Sequence, residues 1–126
     1  MNADKFIKSR EVLVNEKTFI VSKIPAIDAI PIYNEVAKSV AENGILGITM
    51  LPSKTIRDII SYTALVDEDG ISIVPNTESV FNSIFSEDFG SLQTLVVEMV
   101  KENFDFFVSG NLLEKLVDKT KATDFA

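Results

Sequence analysis

The sequence predicts an α+β fold that is mostly α, with an N-terminal β-hairpin followed by a helical domain of about five helices. Three observations predict it. Two short runs rich in Val, Ile, Thr and Phe flank residues 15–17. After residue 26 the apolar residues recur at helical spacing, most regularly between Leu92 and Phe107. A chain of 126 residues suits one core, so a single domain is expected. Its parts are an N-terminal arm at 1–9, a hairpin at 10–24, a helical body at 26–120 and a frayed tail at 121–126.

The hairpin rests on "REVLVNEKTFIVSKIP". Alternation sets Val12 and Val14 on one face of the first strand, and Phe19 and Val21 on one face of the second. Asn15 tolerates the left-handed backbone of a tight turn. Pro25 ends the second strand. The next segment, "IPAIDAIPIYNEVAKSVAENG", carries Tyr33, Val36, Ala37, Val40 and Ala41 on one helical face. Because Pro31 clashes in a helix interior, the helix is expected to start close before it, with Asp28 as N-cap. Asn43 and Gly44 stop it.

"ILGITMLP" is either a buried strand or a tightly packed connector. Ser53 or Thr55 then caps a helix over about 54–65, with Ile56, Ile59 and Ile60 inward. "VDEDG" breaks it, and "ISIVP" is a short strand or an extended link. Thr77 caps a helix carrying Val80, Phe81, Ile84 and Phe85 on one side, and Phe89 falls one turn further on. A long helix is predicted over about 89–107. Its inward stripe is Leu92, Leu95, Val96, Met99, Val100, Asn103, Phe104 and Phe107, and Asn103 alone is polar. Phe106 lies roughly opposite that stripe. Gly110 ends the helix, and Asn111 caps a last one at 112–120 bearing Leu112, Leu113, Leu116 and Val117.

Composition narrows the chemistry. The chain has 12 basic and 19 acidic residues, a net charge of −7, no histidine and no cysteine. Without a Lys/Arg cluster there is no footprint for nucleic acid. Without His or Cys, the common general base, thiolate chemistry, zinc sites and iron–sulfur sites are excluded, so no cofactor and no metal are expected. The five glycines lack phosphate-loop spacing. "DEDGISIVPNTE" has the length of a calcium loop, but its glycine is fourth where the loop needs it sixth. Acidic residues such as Glu98, Glu102 and Asp105 read as solvated. No run of membrane-spanning length and no signal peptide are seen, so no membrane partner and a cytoplasmic location are expected. Mean hydropathy is +0.20, slightly apolar, which suits a surface covered by a partner.

Three stretches, "FIVSKIPAIDAIPIYNEVA", "VKENFDFF" and "SGNLLEKLVD", together resemble the phage tail assembly chaperones. The likeness runs in order through most of residues 17–118. In that family a short β segment enters an Ile-Pro-Ala helix start, and an Asn-Phe-x-Phe-Phe element precedes a short terminal helix. The resemblance implies a non-enzymatic protein in the host cytoplasm. It would bind the tape measure protein, help recruit tail tube protein subunits, and leave before the tail is finished; a homo-oligomer stays open. Client contacts would fall on Phe81, Phe85 and Phe89, on Phe104, Phe106 and Phe107, and on Leu112, Leu113 and Leu116. The competing reading of each is core packing. Two other classes stand beside this one. A small acidic phage protein could inhibit a host enzyme as a nucleic-acid mimic or serve as a structural tail component, and a mimic needs its carboxylates on one face. An enzyme would need a cleft with convergent carboxylates.

Overall fold

The computed structural model describes residues 9–105. It contains a four-stranded antiparallel sheet in the order β1-β2-β3-β4. The strands are β1 (Ser9–Val14), β2 (Lys17–Ser22), β3 (Thr63–Val66) and β4 (Ser72–Ile73). The helices are α1 (Ala26–Asn43), α2 (Ser53–Ile60), α3 (Glu78–Phe85) and α4 (Phe89–Asn103), with a 3-10 helix at Gly44–Met50. This overturns two parts of the expected fold. The β element is a sheet that recruits two mid-chain strands, and the described residues hold four α-helices where a body of about five was expected. The expected helix at 112–120, the frayed tail and nearly all of the N-terminal arm lie outside the described residues.

The hairpin follows from its turn. Asn15 and Glu16 both take positive φ, 48° and 68°. That backbone matches the twist of the flanking strands in a two-residue loop. It sets Val12 opposite Phe19, and pairing continues from Phe19 to Leu65 and from Leu65 to Ile73. A hairpin alone is marginal. Here β3 completes it, and α4 covers the face that carries Val14, Phe19 and Val21.

Strand β3 explains why α2 is shorter than the expected 54–65. The residues after Ile60 pair with β2, and long-range pairing outweighs a helical pattern in a segment with Thr63 and Val66. The buried Thr63 hydroxyl donates to the Ile60 carbonyl at 2.7 Å, closing the helix end. Neither Ser53 nor Thr55 caps α2; Pro52 occupies that place without a side-chain bond.

Helix α1 also starts earlier than expected. The Pro25 carbonyl accepts from the Asp28 and Ala29 amides, so Pro31 lies in the second turn. The carbonyl that loses its partner there belongs to Ile27, which faces solvent. Asp28 does not cap; its carboxylate accepts from the Tyr62 hydroxyl at 3.0 Å. The buried face is Ile32, Val36 and Val40. Tyr33 sits on its flank, with its ring edge-on to Phe104 at 5.7 Å, and Ala41 is exposed.

"ILGITMLP" is the packed connector. Gly47 presses on α1 so closely that an added Cβ would lie 2.1 Å from the Ser39 carbonyl oxygen. Helix α4 is the centre of the molecule: Leu92, Leu95, Val96, Met99 and Val100 are all buried, and β1, β2, α2, α3 and the 3-10 helix contact it. It ends at Asn103, short of the expected 107. Phe104 leaves helical geometry at φ −137° and ψ 54° while remaining buried. No helix among the described residues is long and apolar enough to cross a membrane.

Candidate functional site

Helices α2 and α3 both contact α4, and a groove of about 430 Å³ opens where the three converge. α2 contributes Ile56 and Arg57, α3 contributes Glu78 and Phe81, and α4 contributes Phe89 and Leu92. Leu51, from the end of the 3-10 connector, adds apolar lining.

An aromatic file connects this groove to the core. Phe19 of β2 stacks on Phe85 at 6.0 Å with 11° between ring planes, and Phe85 meets Phe81 at 5.0 Å and 57°. Phe85 is buried and Phe81 half-buried, so the file runs from the sheet to the groove wall. Phe89 is 61% exposed, and no aromatic ring among the described residues packs against it. An exposed aromatic at an apolar groove has the character of a contact residue.

Position is given to Phe89 by the residue before it. Asp88 caps α4, its carboxylate accepting from the Ser91 amide at 3.4 Å and the Ser91 hydroxyl at 2.6 Å. Lys17 reaches the same carboxylate at 3.0 Å, and Asn15 donates to the Ser91 hydroxyl oxygen at 2.9 Å. The hairpin turn thus holds the start of α4. The Ser91 hydroxyl, followed by Lys17, draws the Asp88 pKa down to about 2.

At the far end of α4, Arg10 donates to Glu102 at 2.5 Å and to Glu98 at 3.0 Å. Those bonds, that to Glu102 first, hold the Arg10 pKa above its ordinary value. Lys23 also meets Glu102, at 3.7 Å, and Lys101 meets Glu98. These two carboxylates, expected to be solvated, clamp the hairpin to the helix. The acidic "DEDG" stretch is a turn: the Asp67 carboxylate accepts from the Asp69 and Ile71 amides, and Gly70 takes φ 80°. Among the described residues no cluster of three or more His, Cys, Asp or Glu is placed to hold a metal ion.

The nine expected contact residues therefore divide. Phe81 and Phe89 line the groove. Phe85 and Phe104 are buried, 2% and 8% exposed, and belong to the core. Phe106, Phe107, Leu112, Leu113 and Leu116 lie outside the described residues. Sequence reasoning missed Ile56, Arg57 and Leu51 as groove residues, because the groove exists only once α2 and α3 are laid on α4. It also gave no warning of exposed Ile27 and Ile30 on α1, or of Leu46 and Met50 on the 3-10 helix.

No protein-family model matches this chain, and no curated protein and no solved structure matches it.

Proposed function

We propose that this chain is a non-enzymatic phage tail assembly chaperone, one that holds helices of a tape measure protein and helps recruit tail tube subunits in the host cytoplasm. The observation that carries the reading is Phe89, exposed beside half-buried Phe81 on an apolar groove formed by three helices. Such a groove suits an amphipathic helix, whose apolar side chains would replace water along it. The order of sequence elements over residues 17–118 supplies the family, and the net charge of −7 would keep a client-bound form in solution. The two glutamates of α4, Glu98 and Glu102, are each ion-paired with basic neighbours and serve to hold the hairpin on the helix.

Co-expression with a long helical tape measure protein tests the reading. A stable complex is expected from the wild-type chain, and Phe89→Ser should dissolve it while Leu13→Ser, at an exposed site on β1, should not. A client that stays equally soluble and unbound would refute the proposal.

A further inference from the structure

Helix α1 has a second apolar face. Ile32, Val36 and Val40 turn into the core. On a separate stripe, Ile27, Ile30, Asn34, Ala37 and Ala41 fall at i, i+3, i+7, i+10 and i+14, and Asn34 alone is polar. That spacing is the seam along which two helices lie side by side. Ile27 is 79% exposed and Ile30 57%, so the described fold leaves this end of the stripe in water.

The chain beyond Asp105 departs from the edge of that stripe. Asn103, the last residue of α4, holds the Ile24 amide, two residues before α1 begins. Phe104 then sets its ring edge-on to Tyr33 at 5.7 Å. On the turn of α1, Tyr33 stands between the core face and the stripe, one turn from Ile30. The other exposed apolar groups are farther off. Phe89 is at the opposite end of the 15-residue α4, roughly 20 Å away. Leu46 and Met50 follow the far end of α1. In the sequence past Asp105, Leu112, Leu113, Leu116 and Val117 recur on one helical face.

We propose that residues 112–117 of this same chain are the missing neighbour of α1, with Leu112, Leu113, Leu116 and Val117 seated over Ile27 and Ile30. Residues 106–111 are the connection, and the distance they must cover is about one helical turn. A segment tethered so close to its site is present there at an effective concentration of about millimolar or more. A second copy or a client helix would have to displace it. The proposal assigns to the chain's own fold three leucines that the resemblance offered as client contacts. It stands whether or not the groove at Phe89 holds a client.

Amide hydrogen exchange on the full chain tests it. The amides of 112–117 should exchange more slowly than in a synthetic peptide of residues 106–126, and Ile30→Glu should return them to the peptide's rate. Because Ile30 is exposed in the described fold, the amides of β2 and α4 should keep their protection in that variant, which checks that the body persists. The chain has no cysteine, so Ile30→Cys places a single thiol on the stripe. That thiol should react with a soluble disulfide reagent more slowly than the one in Leu13→Cys, and adding Leu113→Glu should raise its rate towards that of Leu13→Cys. Peptide-like exchange of 112–117 in the wild type would overturn the proposal. So would protection that Ile30→Glu leaves intact, which would put the segment elsewhere. Protection that appears only as protein concentration rises would give the stripe to a second copy and overturn it equally.

Discussion

The side chain of Asn103 joins α4 to the end of β2: its Oδ1 accepts from the Ile24 amide at 2.7 Å, and its Nδ2 donates to the Ser22 carbonyl at 3.0 Å. A second donation, to the Met99 carbonyl at 3.0 Å, fixes the amide's orientation. Asn103 is the one polar member of the inward stripe of α4. It supplies what the chain needs as it leaves the sheet, where two backbone groups have lost their ladder partners. Asn103→Leu would keep the stripe apolar yet leave both groups unpaired. A loss of about 2 kcal/mol or more in urea unfolding is expected. Asn103→Asp, which keeps the acceptor for Ile24 and loses the donors, should fall between the two. Equal stability of the Leu variant and the wild type would refute this account.

A pH dependence follows from Asp88. Its pKa in the folded chain is about 2, below the roughly 3.9 of an unfolded aspartate. A lowered carboxylate pKa stabilises the fold above the unfolded value, and that contribution is lost as pH falls through about 2. The urea midpoint of the wild type should therefore drop as pH falls from roughly 4 towards 2. In Asp88→Asn, which still caps the helix but cannot ionise, this part of the drop should vanish. A carboxyl carbon titration of Asp88 with its midpoint near the ordinary aspartate value would contradict the geometry.

Two glycines make opposite predictions. An added Cβ at Gly47 would meet the backbone of Ser39 at 2.1 Å, so one of the two segments would have to move. Gly47→Ala should cost about 3 kcal/mol or prevent folding, as overpacking against backbone does. Gly90 lies in the first turn of α4 with nothing within 4 Å of such an atom. Gly90→Ala should stabilise by about 0.5 kcal/mol, through the unfolded chain. Thermal unfolding of both variants beside the wild type checks the pair.

Phenylalanines one helical turn apart should behave as different kinds of residue. Phe85→Ala removes a ring packed on Phe19 and Phe81 and should cost about 3–5 kcal/mol. Phe89→Ala removes an exposed ring and should change stability by no more than about 0.5 kcal/mol. Denaturant midpoints decide. A large loss at Phe89 would make it a core residue and withdraw it from the groove.

The hairpin, the N-cap at Thr77 and the buried stripe from Leu92 to Val100 were legible in the chain itself. Each depends on neighbours a few residues away: a left-handed turn, a hydroxyl three residues before an amide, an apolar period of helical length. The end of α2 was not legible, because Thr63–Val66 becomes a strand only when β2 offers it an edge. The groove was illegible for the same reason. Phe81, Phe85 and Phe89 share one helical period in sequence. Yet Phe85 is sealed against Phe19 while Phe89, across the break at residues 86–88, starts a new helix aimed outward. Local spacing thus determined where helices form and which face of each is greasy, though not where α2 and α4 end. Tertiary packing alone decided which greasy residues remain available, since burial is a property of what arrives from elsewhere in the chain.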